Sequence, residues 1–408
     1  MTTATTFVIL FCIATAVAVA VHRLEIPYTV ALVIAGLGIG SLHIVSAPTL
    51  TQELLFAVFL PGLLFEAAFH IDASVFRKLW MAVTALAIPG VIVSIGITAL
   101  LLTVALRSLG IAPWFTWGGA LVFAAIVAAT DPVAVTALFR QLRAPIELSV
   151  LVEGESLLND GTSIVFLSLI LAYVTGTPSS VAGLAASFVV VAGGGAAVGL
   201  AVGFVATQVI RLIDDAMIEI AITMIAAYGS FALGEDLHVS GVIATVAAGM
   251  VCGAYARTVM SDATHTAVEL FWEYVAFALN SVVFLLIGFE VSVSALLESW
   301  REIAVAYVAV LIARAAIVFG GRLFWRALRS HGAGQLPMSW SVVLVWGGLR
   351  GALSMVLALS LSGVLPHRAL IVTMTAGVVV LTLLVQGLSM PSLLRGLGLV
   401  RASNADAA

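Results

Sequence analysis

Long apolar runs separated by short polar or basic joints recur along the whole chain. Thirteen of them are centred roughly on 6–21, 28–44, 51–70, 80–106, 114–139, 147–174, 181–209, 216–234, 238–256, 266–290, 302–325, 337–361 and 367–391. Crossing the hydrocarbon core of a bilayer takes about 20 predominantly apolar residues in a helix, which is the length of these runs. The pattern predicts an all-α polytopic membrane protein with about 13 transmembrane helices. Glycine clusters within the runs, Gly36-Leu37-Gly38-Ile39-Gly40 and Gly193-Gly194-Gly195, mark places where helices approach closely in lipid.

Composition narrows the class. Of 408 residues, 62% are hydrophobic and 9% charged, with a mean hydropathy of +1.21, which excludes a soluble enzyme. Cys12 and Cys252 lie far apart inside apolar runs, so neither a disulfide framework nor a metal-ligand spacing is present. No basic patch suggests nucleic acid. The first run, from Phe7 to Val21, has no Lys or Arg before it and reads as a retained span, not a cleaved signal.

Positive charge collects in cytoplasmic loops, so the basic residues test the topology. On one side lie twelve of the 17, Arg23, Arg77, Lys78, Arg140, Arg143, Arg211, Arg257, Arg322, Arg326, Arg329, Arg395 and Arg401. The other side holds Arg107, Arg301 and Arg368, while Arg314 and Arg350 fall within spans. The expected arrangement is a multi-pass plasma (inner) membrane protein, amino terminus outside and carboxyl terminus cytoplasmic, ending in a short tail over 396–408.

Against this apolar background, intramembrane charge stands out. The stretch Leu151-Val152-Glu153-Gly154-Glu155-Ser156-Leu157-Leu158-Asn159-Asp160-Gly161-Thr162-Ser163 places acids deep in a span, where one charge costs about 3 kcal/mol or more. At about 100° per residue, Glu155, Ser156, Asn159, Asp160 and Ser163 share one oxygen-rich side. Such a face suits a hard monovalent cation, which takes oxygen ligands.

Two spans carry built-in breaks. In Ala128-Ala129-Thr130-Asp131-Pro132, the proline removes a helical donor and disfavours α geometry at Asp131. In Trp346-Gly347-Gly348-Leu349-Arg350-Gly351, glycines and an opposite charge interrupt span twelve. An offset of seven spans puts the breaks in opposite orientation, as in inverted repeats whose broken helices cross at the midplane. Asp131 is then suited to offset helix N-termini and Arg350 helix C-termini. Arg314 is too deep to reach water and needs a carboxylate, with Glu155 and Asp131 as candidates. Whichever acid pairs with it is held from transport. Glu66, toward the cytoplasmic end of span three, is a candidate ligand or entry residue. The seven histidines fall at span edges or in loops, so the proton carrier is expected to be a carboxylate, at which proton and cation compete.

Together, Thr130-Asp131-Pro132, Gly154-Glu155-Ser156-Leu157-Leu158-Asn159-Asp160-Gly161, Leu311-Ile312-Ala313-Arg314 and Gly347-Gly348-Leu349-Arg350-Gly351-Ala352 resemble the sodium/proton antiporters of the NhaP/NHE branch of cation:proton antiporters. The resemblance implies two inverted six-helix repeats with crossed broken helices in spans 5 and 12. It implies scaffold and dimerisation spans at 1–75 and 213–297, core spans at 76–176 and 298–395, and a linker span at 177–212. A homodimer working by elevator-like alternating access follows from the same resemblance. Asp160 resembles the ion- and proton-binding carboxylate, with Asn159 beside it. Asp131, Ser156, the Thr130 carbonyl and Glu66 resemble further ion-binding members; Glu155 resembles the acid paired with Arg314, and Arg350 the arginine of the second broken helix. A neutral Asn159 implies electroneutral exchange of one monovalent cation, most simply Na+, for one H+. No cofactor is expected beyond the transported ions. The alternatives are a K+/H+ antiporter of the same fold, a cation channel lined by the polar helix, and an intramembrane aspartyl protease using Asp131 and Asp160; Pro132 and Arg314 argue against the last.

Overall fold

The structure, a computed structural model, describes residues 3–21, 27–41, 55–176, 180–327, 336–363 and 365–400. The joints at 22–26, 42–54, 177–179 and 328–335, with Arg23, Arg329, Arg401 and the tail from 401, lie outside the described residues. Among those described, the chain is helical and contains no strand.

The first apolar runs form α1, Thr3–Val21, and α2, Tyr28–Ser41. A π turn over Leu55–Phe59 leads into α3, Leu60–His70. Helix α4 runs over Ala73–Ser108 and contains a second π turn at Leu86–Gly90 around Pro89. Span five is two helices, α5 (Trp117–Ile126) and α6 (Val133–Leu142), followed by the unbroken α7, Ile146–Val174. Four helices follow: α8 (Val181–Ile210), α9 (Ala216–Asp236), α10 (Gly241–Val259) and α11 (Asp262–Glu290). A short α12, Val293–Glu298, leads to α13, Trp300–Ala327. Span twelve is again a pair, α14 (Met338–Trp346) and α15 (Ala352–Leu359), and α16 spans Arg368–Gly396 with a π turn at Thr382–Gly387.

Seven of the described helices are long and apolar enough to cross a membrane, and six shorter apolar ones accompany them. Many starts are chemically marked, which fixes the register of the joints. Asp72 accepts from the Ser74 and Val75 amides and Asp215 from those of Met217 and Ile218, while Thr116, Ser180, Ser240 and Ser261 cap their own helices. Each satisfies donors that a helix start leaves open. Large apolar side chains such as Val19, Val189, Phe204 and Ile225 point outward. In water that would be a liability; in lipid it is the solvated state.

Helix α2 lies along α11, α8 along α9 and α10, α3 along α10, and α4 along α13. The α2–α11 contact rests on missing side chains, because a Cβ on Gly36 would run into the Leu285 carbonyl and come within 2.9 Å of Gly288 Cα. Two apolar clusters flank the breaks. One gathers Val30, Val135, Leu151, Phe284, Leu349 and Met390, the other Leu64, Phe123, Leu157, Val310, Leu357 and Met374. The interrupted segments therefore sit inside the protein, a setting in which non-helical backbone is tolerated at membrane depth.

Candidate ion site

Both sequence breaks are physical breaks, and they meet. The amide of Asp131 donates to the Leu349 carbonyl at 2.8 Å, joining the two extended segments directly. Asp131 Oδ1 accepts from the Val133 amide at 3.0 Å, capping α6, and the Asp131 side chain also accepts from Ala352 at the start of α15. One carboxylate thus faces the positive ends of two half-helices. The segment is tight, since a Cβ on Gly351 would collide with the Asp131 side chain.

The negative end of α5 is met by the opposite charge. Arg350 is 2% exposed, and its Nη1 donates to the carbonyls of Ala128 and Ala129 at 2.9 and 3.0 Å, past the end of α5. Ser354 Oγ donates to the Ile126 carbonyl at 3.0 Å, and Thr382 Oγ1 receives the Arg350 amide at 3.1 Å. These bonds pair several of the backbone groups that the two interruptions free.

The polar side of α7 packs onto this crossing. Asn159 Oδ1 accepts from the Thr130 amide at 3.1 Å, and its Nδ2 donates to Thr130 Oγ1 at 2.6 Å and Glu155 Oε1 at 3.0 Å. Ser156 Oγ donates to the Thr130 carbonyl. Of the two candidate partners for Arg314, the structure selects Glu155, with two parallel bonds of 2.7 Å. Arg314 Nε also donates to the Leu344 carbonyl at 3.1 Å. Arg314 and Glu155 are both buried, so this fork is a strong, directional pair.

Asp160 is different. Its Oδ1 is shielded from solvent yet has no hydrogen-bond partner, and its charged neighbours are Asp131, Glu155 and Arg350. It lines a cavity of about 90 Å³ together with Glu66, Thr130, Asp131, Ser156, Asn280 and Ser354. A water claims about 30 Å³, so the space suits a cation with very few waters and lies well below the ~300 Å³ at which organic-ligand pockets begin. Within an otherwise largely apolar lining stand three acids, Glu66, Asp131 and Asp160, with the hydroxyl residues Thr130, Ser156 and Ser354 and the amide of Asn280, oxygen donors of the kind a hard cation takes.

Of the residues expected at the site, Asp160, Asp131, Thr130, Ser156 and Glu66 line this cavity. Asn159 does not; its amide is occupied by Thr130 and Glu155, and it acts on the site by holding Thr130. Ser163, on the expected polar side, is buried with its hydroxyl unpartnered and away from the cavity. Glu66 is contacted by its own helix, with His70 Nδ1 3.2 Å from Glu66 Oε1 and 2.9 Å from the Glu66 carbonyl oxygen. Asn280 on α11 was not among the expected residues. A single amide in an otherwise apolar run gives no periodic signal, and only the fold brings it opposite Asp160.

The cavity has two walls. Leu60, Leu63, Leu64, Glu66 and Ala67 of α3 with Asn280 of α11 form one, and the crossing with Ser156, Leu157 and Asp160 of α7 forms the other.

Comparison with known proteins gives a consistent result. Residues 7–396 match the family model described as sodium/hydrogen exchanger, transmembrane. The low-affinity Na(+)/H(+) antiporter NhaS1 of Synechocystis is 37% identical over 385 residues, covering 92% of this chain and 70% of that protein. The Na(+)/H(+) antiporter NhaP of Pseudomonas aeruginosa is 37% identical over 349 residues, covering 84% and 81%. The solved structure of the sodium proton antiporter MjNhaP1 from Methanocaldococcus jannaschii superposes with a TM-score of 0.79 over 96% of this chain and 97% of that one, at 20% identity.

Proposed function

The chain belongs to the sodium/hydrogen exchanger family, and from that premise we propose that it is a multi-pass membrane transporter exchanging Na+ for H+ at Asp160, not an enzyme. One observation carries the reading. A buried carboxylate oxygen without a hydrogen-bond partner belongs to a residue lining a small cavity that also gathers Glu66, Asp131, Thr130, Ser156 and Ser354 where two broken helices cross. A carboxylate left open in this way is satisfied by a proton or by a cation, and occupancy by one removes the seat of the other. That exclusion is what couples the two flows.

The ligand set we propose is Asp160 with Asp131, Ser156, the Thr130 carbonyl and Glu66, joined by Asn280. Glu155 is held by Arg314 and Asn159 is neutral, which leaves one acid of the α7 pair to titrate and supports a 1:1 electroneutral exchange. The relatives' names give sodium, favouring it over potassium. We further assign thirteen spans in two inverted six-helix repeats, the amino terminus outside and the carboxyl terminus cytoplasmic, in the inner membrane. The two walls of the cavity support an elevator-like movement of a core (76–176 and 298–395) against a scaffold (1–75 and 213–297) in a homodimer. Sliding one wall past the other exposes Asp160 to either side without opening a continuous pore.

The test is transport by the purified protein in liposomes carrying an imposed pH gradient. Adding Na+ outside is expected to collapse the gradient at a rate unchanged by valinomycin with K+. Asp160→Asn, close to isosteric, is expected to fold and to lose at least ~99% of the rate, since no titrating group remains at the seat. Exchange by that variant overturns the assignment, and a Na+ current without H+ movement points to a channel.

A further inference from the structure

We propose that a groove on the outer face of α4, α13 and α14, which shares no lining residue with the ion cavity, is a binding site for an anionic phospholipid. The groove has a volume of about 580 Å³ and is walled mainly by apolar residues, among them Leu86, Pro89, Val93, Ile317 and Phe324. That is the size of a ligand pocket and, in a lipid-facing wall, the chemistry of an acyl chain.

Two polar groups set in this wall are what single it out. Arg322 and Ser341 both line the groove, and Arg322 Nη1 and Ser341 Oγ are each buried without a hydrogen-bond partner. A buried guanidinium nitrogen left open is costly in a membrane, and an arginine fork matches the oxygens of a phosphate. Ser341 lies in the first turn of α14, which begins at Met338, and the positive end of that helix favours an anion at the same mouth. The two orphan donors and the apolar trough together describe an amphiphile with one acidic phosphate headgroup. Arg322 also belongs to the charge-rich side that the basic residues assign to the cytoplasm, where basic pockets between transmembrane helices take anionic headgroups.

The shape of the groove comes from what is missing along it. The π turn of α4 at Leu86–Gly90 contains Pro89, and a Cβ on Gly320 or Gly321 would meet nothing within 4 Å. Position 320 therefore offers a way to fill the trough without touching Arg322. The far wall is α14, whose Leu344 both lines the groove and accepts the bond from Arg314, so an occupant would pack against the element that precedes the second break.

The test titrates the purified full-length protein with phosphatidylglycerol or phosphatidylcholine of matched acyl chains and counts bound lipid by native mass spectrometry. The wild type is expected to prefer phosphatidylglycerol by roughly tenfold, the size of one charge-assisted hydrogen bond. Arg322→Gln is expected to bring the two lipids within about twofold of each other, while Arg322→Lys keeps most of the preference. Gly320→Trp is expected to lower retention of both lipids. Equal affinity for the two lipids in the wild type, a preference that survives Arg322→Gln, or retention untouched by Gly320→Trp overturns the site. Asp160 and its cavity are untouched by these changes, so the outcome is independent of the transport reading.

Discussion

Among the acidic side chains at the centre of this protein, partners decide roles. Glu155 and Asp160 are five residues apart on one helix, yet the first is locked in a fork by Arg314 and the second has an open oxygen. Removing one member of a buried pair strands the other charge, at a cost of about 3–5 kcal/mol. Arg314→Leu is therefore expected to lower thermal stability sharply in detergent, and Glu155→Leu likewise, while the double Glu155→Leu/Arg314→Leu variant recovers much of the loss. If the double variant is destabilised by the sum of the two singles, the pair does not act as a unit. Asn280 makes the opposite prediction. Its amide has no hydrogen bond among the described residues, so Asn280→Ala is expected to leave the melting temperature unchanged and to raise the KM for Na+ by roughly tenfold, one ligand's worth. An unchanged KM removes Asn280 from the ligand set.

At the scale of elements, the two interruptions form one device. Asp131 caps α6 and α15 together, and Arg350 gathers the carbonyls that follow α5, so each break is completed by a charge brought from the other. Because Gly351 leaves no room for a Cβ beside Asp131, Gly351→Ala is expected to displace that carboxylate, cost about 1–3 kcal/mol and cut exchange at least tenfold; wild-type exchange by this variant would mean that the crossing is looser than described. Much of this device was legible in the sequence. Asp131-Pro132 and the Gly347–Gly351 run announce breaks through backbone chemistry alone, and the polar side of α7 follows from helical periodicity. The π turns were not legible, because they depend on tertiary partners. The Ala87 carbonyl, within one of them, accepts from Thr162 Oγ1 at 2.7 Å, and Thr382, opening another, receives the Arg350 amide. Asn159 was legible as a polar neighbour of Asp160 but not as the clamp on Thr130, since its partner lies 29 positions away. For Arg314 the residues alone left two acids open and the resemblance pointed to Glu155, the acid to which its two 2.7 Å bonds run.

For the molecule as a whole, the proposed ion seat lies in a cavity walled by α3 and α11 on one side and by the crossing and α7 on the other, an arrangement that suits the alternating access proposed above. If the seat holds either guest but never both, Na+ affinity falls as pH falls, by up to tenfold per pH unit once the proton dominates. The most direct measurement of this exclusion is proton release on Na+ binding. Purified protein in weakly buffered detergent solution, with a pH indicator, is titrated with Na+ on the acid side of that competition. The account predicts release approaching one proton for each Na+ bound in the wild type and no release in Asp160→Asn. Sodium binding that leaves the proton in place, or release undiminished in Asp160→Asn, would contradict it.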